Sequence, residues 1–262
     1  MASPQADPGS FRDPSSRVFL DGDSVWRGLT EDALADYHVL ARSQFFARAL
    51  ERRDVVATEL VEDPPPLPGL WAGVLRHERV PVVSYPYEWS FEMLRDAALL
   101  QLRLAREGLA ERILPKDASS YNVQFVGSRP VFIDIGSFER LRSSEPWRGY
   151  RQFCELFLNP LLVQARRDVP FQPLLRGCLD GIPPTQAAAL LGASGFRRGT
   201  LVHVRLHARA DRRFADADRT HDVPAELKRA GFGPGMIDAQ LRNLERTVSR
   251  LRWRRSQSTW SD

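Results

Sequence analysis

From Ser90 onward, "FEMLRDAALLQLRLAREGLAERIL" keeps Phe91, Leu94, Ala98, Leu102, Ala105, Leu109 and Ile113 at helical spacing. Such a stripe must lie against a core, and a helix this long spans a whole small domain. Its end directly precedes Lys116-Asp117 and the run "LPKDASSYNVQFVGSRPVFIDIGSF", residues 114–138. Within that run Val123 to Phe125 reads as a short strand, Gly127-Ser128-Arg129-Pro130 as a turn and Val131 to Ile133 as the return strand. A long helix delivered into a tight hairpin requires a mixed α and β core, and it leaves polar residues at both ends of the hairpin.

Those polar residues carry the chemistry. Asp117 is followed five residues later by Asn122, and the return strand delivers Asp134 into Asp-Ile-Gly, where Gly136 leaves the backbone free. In phosphotransferases of the kinase fold, one carboxylate orients the attacking hydroxyl, and an amide and a second carboxylate hold magnesium at the nucleotide phosphates. Hard cations take oxygen ligands, which Asn122 and Asp134 supply. The same residues would also serve a plain β-hairpin whose Asp and Asn cap turns.

The 262 residues are enough for one large domain or two small lobes. No stretch approaches the ~18 unbroken apolar residues of a membrane span. The opening "MASPQADPGSFRDPSS" lacks a basic region followed by an apolar run, so residues 1–15 are expected to form a disordered tail of a cytoplasmic protein. Cys154 and Cys178 are expected to be buried, reduced thiols. His203-x3-His207 has the spacing of a metal pair on a helix, but it reads more naturally along a strand. Lys116 and Lys228 are the only lysines; the net charge of +4 comes from arginines interleaved with acids. That scatter speaks against a nucleic-acid interface. "RLRWRRSQ" at 250–257 reads as the solvated end of a helix.

Along the chain, residues 16–29 read as two short strands about an Asp-Gly turn. Thr30 is a candidate cap for a helix running to about residue 52, with Leu34, Tyr37, Ala41, Phe45 and Ala49 on its apolar face. "VVATEL" (55–60) reads as a strand. "WAGVLRHERVPVVSYP" reads as a hairpin whose second strand, Val80 to Ser84, enters a hinge at 82–89. After Asp134 the pattern is mostly helical, over 146–166, 171–182 and 184–192. "GTLVHVRLHARA" is ambiguous between strand and helix. A final helix beginning near Pro224 is interrupted around Gly231 to Gly235. The expected fold is α+β and two-lobed, protein-kinase-like: a small strand-rich N-lobe over 16–84, a helical C-lobe over 85–253 that carries the hairpin 114–138, and a tail over 254–262. Backbone groups around Ser84, Tyr85 and Tyr87 would then read an adenine edge, or else "SYPYEW" is an interlobe linker anchored by aromatics.

The runs "VLRHERVPVVSYPYEWSFEMLRDAALLQLRLA", "LPKDASSYNVQFVGSRPVFIDIGSFE" and "PWRGYRQFCELFLNPLL" carry a wider likeness. The chain resembles the amino-terminal region of bacterial proteins assigned to the class I S-adenosylmethionine-dependent methyltransferases, a group that includes rhizobial host-specificity nodulation proteins. In that group the Rossmann-like methyltransferase domain begins after a segment like "LRWRRSQSTWSD". No Gly-rich loop follows a strand in this chain, so it is expected to be a stand-alone version or the amino-terminal half, without a methyl-donor site. The remainder resembles kinase-like small-molecule phosphotransferases. That resemblance implies Asp117 as catalytic carboxylate and Asn122 and Asp134 as magnesium ligands. Two features of the kinase pattern are missing. The first hairpin carries only "DGDS" in place of a Gly-rich loop, and no lysine precedes Lys116. Arg27, paired with Glu51 or Glu59, is the candidate replacement cation, although Arg and Lys differ in geometry. Lys116 is placed to approach a γ-phosphate from beside Asp117.

Two functions therefore compete. One is an ATP- and Mg²⁺-dependent phosphotransferase acting on a small-molecule or peptide hydroxyl in a bacterial biosynthetic pathway. The other is a non-catalytic kinase-like module that recruits substrate or partner for a methyltransferase domain or protein. Arg76, His77, Arg148 and Arg151 are candidate anion contacts, or else solvated and structural groups. Because the sequence has no methyl-donor loop, calorimetry with S-adenosylmethionine should give no specific heat; micromolar binding to this chain would overturn that division of the two halves.

Overall fold

In the computed structural model, which describes residues 4–142, 145–192, 203–204 and 233–253, five antiparallel strands build the first half of the chain. They are β1 (Gln5–Ala6), β2 (Ser16–Asp21), β3 (Ser24–Leu29), β4 (Thr58–Val61) and β5 (Gly73–His77), in the order β1-β2-β3-β5-β4. The Asp-Gly turn between β2 and β3 forms as expected: Asp21 faces Ser24, and Gly22 takes φ +54°, open to glycine at little cost. Phe19, Leu29, Val74 and Leu75 are buried in this sheet.

Several expectations are corrected here. Residues 5–12 are no loose tail: β1 pairs with β2, and Asp7 caps a 3₁₀ turn over Pro8–Arg12 by accepting from the Gly9 amide. The helix expected over 30–52 is two helices, α1 (Glu31–Ala41) and α2 (Gln44–Glu51). Ser43 ends the first by donating to the Leu40 carbonyl at 2.7 Å and starts the second by accepting from the Phe46 amide at 3.1 Å. Ser is a strong N-cap because its oxygen satisfies an orphan amide. Thr30 does not cap α1 with its side chain; its hydroxyl donates to the Ser15 carbonyl. Strand β4 begins at Thr58 rather than Val55, and no strand forms over 80–84, because β5 finds both its partners in β3 and β4.

The chain divides into two compact units. The strand-rich unit comprises 1–83, 107–116 and 122–141, and the helical unit the rest. The hairpin assigned from sequence to the helical half thus falls mainly in the strand-rich unit. There β7 (Val123–Val126) pairs with β8 (Arg129–Phe132) across a turn with Gly127 at φ +63°, and β6 (Ile113–Pro115) pairs with β9 (Phe138–Arg140). Phe132 and Phe45 both meet Phe138 edge-on, at centroid distances of 5.3 and 5.6 Å, closing a core under α2. Such aromatic pairs add to plain area burial. Glu111 ties the same region together: its carboxylate accepts the amides of Gln44 and Phe45, the first turn of α2, at 3.0 and 2.6 Å.

The helical unit holds most of α3 (Phe91–Leu109), the predicted long helix, with Leu94, Ala98, Leu102 and Ala105 fully buried. Downstream come α4 (Tyr150–Phe153), α5 (Asn159–Arg167), α6 (Gln172–Gly177), α7 (Pro184–Leu191) and α8 (Pro234–Ser249). Between α4 and α5 the backbone widens to a π segment over Cys154–Leu158, where the Asn159 amide reaches back to the Cys154 carbonyl. Pro160 follows directly and has no amide to donate. The wide turn absorbs that gap, as π-bulges do. Cys154 is buried, whereas Cys178 is exposed, contrary to expectation. Most of "GTLVHVRLHARA", His207 included, and residues 224–232 and 254–262 lie outside the described residues.

The Glu111 contacts predict a measurable effect. A carboxylate on two end amides gives charge-assisted hydrogen bonds and favourable helix-dipole placement. Glu111→Ala should lower stability by about 1–2 kcal/mol in urea unfolding, and Glu111→Gln by less. Equal stability of wild type and Glu111→Ala would show the contact to be inconsequential.

Candidate functional site

The strand-rich unit gathers a buried polar network around Arg27. On β3, Val25, Arg27 and Leu29 share one face of the sheet, so an arginine stands between two apolar residues of that face. Its side chain is 10 % exposed. The guanidinium is satisfied on three edges. Nη2 lies 2.9 Å from Asp134 Oδ1, Nη1 donates to Ser16 Oγ at 3.2 Å, and Nε donates to His77 Nε2 at 3.4 Å. Asn122 Nδ2 donates to the other Asp134 oxygen at 3.3 Å. Arg27 therefore pairs with Asp134, not with Glu51 or Glu59; Glu59 is held by Arg76 on the neighbouring strand at 2.5 Å.

Local folding explains how these groups meet. The turn between β7 and β8 aligns Val123 with Phe132, which places Asn122 and the residues just past β8 at the same end of the hairpin. The Ile133 amide donates to the Asn122 carbonyl, and Asp134 then leads a 3₁₀ turn over Ile135–Ser137. Gly136 does not need its freedom for a left-handed φ. A Cβ there would sit 2.9 Å from Arg27 Nη1, so a larger residue would have to displace the guanidinium tip that glycine leaves in place. Asp134 keeps 22 % of its side chain exposed, which leaves an edge for a ligand.

The sequence offers His77 as a candidate anion contact or else as a structural group, and the structure buries it. Its Nδ1 lies 2.8 Å from Thr58 Oγ1. Burial, with the Arg27 charge adding to it, pushes its pKa down to about 3, so the imidazole is neutral at ordinary pH.

Lys116 lies 3.2 Å from Asp13 Oδ2 and 3.3 Å from Ser15 Oγ. Burial alone would raise the Asp13 carboxyl, but hydrogen bonds from the Ser15 hydroxyl and amide, together with Lys116, hold it below the usual carboxylate range. Ser16 donates to the same carboxylate and accepts from Arg27, so Asp13 links the two cations. This contact between the amino-terminal segment and Lys116 has no signal in sequence spacing.

Other predicted residues belong to the helical unit. The Asp117 carbonyl accepts from Gln101 Nε2 at 3.4 Å, and the next amide, Ala118, donates to Gln152 Oε1 at 2.7 Å. The Trp89 indole donates to the Ser84 hydroxyl at 2.9 Å. The Tyr85 amide, proposed to read an adenine edge, donates to the Glu88 carboxylate at 2.8 Å, and the Tyr85 and Tyr87 rings stack at 5.4 Å. Of the other anion candidates, Arg151 pairs with Glu155. His203 bridges Tyr150 Oη and Asn243 Oδ1 at 2.9 and 2.8 Å.

Among the described residues no group of three or more His, Cys, Asp or Glu is arranged to hold a metal. Asp134 and Asn122 do supply two adjoining oxygen-bearing side chains. Magnesium is commonly held by one or two carboxylates, with water and substrate phosphates completing its shell. The pair fits that pattern and would not fit calcium, which needs more protein oxygens.

The His77 linkage has a sign that can be tested. Folded His77 stays neutral down to about pH 3, whereas in the unfolded chain it protonates near its ordinary value of 6.5. Between those limits the unfolded state binds more protons, so stability is full above pH 6.5 and is lost as pH falls toward 3. Lowering pH from 6.5 to 5 should cost about 2 kcal/mol through this group. A series of Tm against pH should show the drop in wild type and a flatter curve in His77→Gln. Parallel curves would contradict the buried neutral imidazole.

No helix among the described residues is long and apolar enough to cross a membrane, and no protein-family model matches the chain. The chain spans less than half the length of the curated relative it matches. It is similar to the nodulation protein NoeA of Rhizobium meliloti (strain 1021), 36% identical over 206 residues that make up 77% of this chain and 42% of that protein.

Proposed function

We propose that the chain is a kinase-like phosphotransferase of the cytoplasm, dependent on ATP and Mg²⁺ and acting on a small-molecule or peptide hydroxyl. The observation that carries this reading is the convergence of Arg27 and Asn122 on Asp134. In kinases the cation that neutralises the nucleotide phosphates stands on the third strand of the sheet, and the Asp after the catalytic hairpin holds magnesium. Asp134 follows β8 as that Asp follows its hairpin, while Arg27 stands on β3, here the second strand of the first hairpin rather than the strand after it. In this reading Arg27 stands in for the missing lysine, paired with Asp134 and not with the Glu51 or Glu59 expected of it.

In this reading Asn122 and Asp134 hold magnesium, which when bound neutralises charge on the transferring phosphoryl group. Arg27 supplies a fixed positive edge beside Asp134, and its planar fork suits phosphate oxygens. Asp117 takes the role of orienting the acceptor hydroxyl, from its place in the Asp-x4-Asn order. Ser84, Tyr85 and Tyr87 remain the proposed nucleotide-base contacts. With the Tyr85 amide engaged by the Glu88 carboxylate and its carbonyl by the Glu88 amide, the stacked rings are the groups that would meet the base. Lys116 contributes at the γ-phosphate only if Asp13 yields it. Rate enhancement would come from positioning and charge complementarity.

A second reading, a non-catalytic module recruiting substrate or partner for a methyltransferase, is favoured by one observation. The β2–β3 turn is a two-residue Gly22-Asp23 connection between Asp21 and Ser24, which puts carboxylates where kinases place a phosphate-covering loop.

Thermal shift with ATP, with and without Mg²⁺, decides between the two. Wild type should gain Tm with ATP only when Mg²⁺ is present. Asp134→Asn should lose that gain, whereas Asp117→Asn should keep it and slow transfer by about 10²–10⁴-fold. Absence of any Mg²⁺-dependent gain in wild type would leave the recruitment module.

A further inference from the structure

We propose that His77 is a positioning residue for Arg27: its imidazole acceptor holds the guanidinium in the orientation that presents Nη2 to Asp134. The inference rests on the reading of Arg27 as the phosphate-neutralising cation, and it assigns a role to a buried titratable group that the proposed chemistry does not otherwise use.

The tautomer follows from proton counting. Thr58 Oγ1 has one hydrogen and donates it to the Val56 carbonyl at 3.0 Å. Its 2.8 Å contact with His77 Nδ1 can therefore be a hydrogen bond only if Nδ1–H is the donor. The neutral ring then has its lone pair on Nε2, which faces Arg27 Nε–H. The chain Nδ1–H to Thr58 and Arg27 Nε–H to Nε2 fixes the ring and, through it, the plane of the guanidinium. A protonated ring would turn a donor toward a cation, and its depressed pKa shows how far the site disfavours that form. Register supports the same arrangement: His77 pairs with Val25 across β3 and β5 and with Thr58 across β4 and β5. Arg27 and Leu75 are the next pair on the same face, so the ring lies diagonally beside the arginine stem.

The alternative is that His77 merely fills the sheet interior. A side chain that only fills space would be replaced by Phe with no effect specific to Arg27. A side chain that aims the guanidinium is coupled to it, and the coupling disappears when Arg27 becomes Lys, which has no Nε–H and no planar fork.

The test combines two measurements on the full chain. The first is nitrogen-15 NMR of the wild type at pH 7. It should show His77 as the neutral Nδ1–H tautomer and an Arg27 Nε–H signal protected from exchange. That signal should lose its protection in His77→Phe and regain part of it in His77→Gln, whose amide oxygen can accept. An Nε2–H tautomer, or an Arg27 signal unchanged in His77→Phe, would overturn the proposal. The second is the affinity for ATP with Mg²⁺ in a double-mutant cycle. His77→Phe should weaken binding about tenfold in the Arg27 background and hardly at all in Arg27→Lys. Equal losses in both backgrounds would reduce His77 to a structural residue. If wild type binds no ATP with Mg²⁺, the phosphotransferase reading fails by itself, and the NMR result alone decides whether His77 positions Arg27. Should His77→Phe fail to fold, His77→Gln and His77→Leu carry the same comparisons.

Discussion

The ion pair between Arg27 and Asp134 joins the middle of the five-stranded sheet to the end of the β7–β8 hairpin, and the surrounding network exists to make that pair tolerable. A guanidinium taken almost wholly out of water loses much of its hydration, and one carboxylate rarely restores it. Here each edge of the cation has a partner: Asp134, the Ser16 hydroxyl and a neutral imidazole. The residues that supply them constrain the fold in turn. Ser16 begins β2, His77 ends β5, and glycine at 136 leaves room for the guanidinium tip. Removing one partner would strand a buried charge at a cost of about 3–5 kcal/mol, so the network is settled as a unit.

Replacing a buried pair by apolar residues of matched volume often leaves stability unchanged or improves it. Stability alone therefore does not explain an arginine on the inner face of β3 between Val25 and Leu29. Asp134 stays partly open while Arg27 is closed in, an asymmetry that the proposed reading takes as a carboxylate presented to a ligand and backed by a fixed cation. A purely structural pair would gain by closing both. Asp13 repeats the theme at Lys116, where a carboxylate with a lowered pKa occupies a second cation.

Local signals were legible where local physics decides. The α3 stripe, the two-residue turn at Gly22-Asp23 and the β7–β8 hairpin follow from periodicity and turn chemistry, and the structure has each near its expected bounds. Longer-range choices were not. The apolar face through Phe45 and Ala49 fits one helix or two, and only the hydrogen bonds of Ser43 choose. Val80 to Ser84 has the composition of a strand, but β5 already has a neighbour on each side. The partner of Arg27 could not be read from spacing, since Glu51, Glu59 and Asp134 are all suitable carboxylates and only the tertiary packing of the β7–β8 hairpin end brings Asp134 to it. His77 was legible as a candidate anion contact or a structural group, but not as a partner of Arg27, because that contact and the one to Thr58 come from other strands.

These distinctions bear on what the similarity to NoeA can carry. That relative is more than twice as long as the matched segment, so its biology belongs to a larger molecule than the part compared. What this chain offers is narrower: an amide, a carboxylate and a cation fixed within hydrogen-bonding distance, with one carboxylate edge left open. An amide and a carboxylate are hard donors that suit magnesium, and a planar cation beside them suits phosphate. A recruitment module would need neither the cation nor the exposed edge; it would need a surface. On the phosphotransferase reading proposed above, those groups would meet nucleotide phosphates, and the acidic β2–β3 turn would limit how these could be covered. A ligand held from one side by Arg27 and metal, without amides above it, would bind more weakly than in a kinase with a glycine-rich loop.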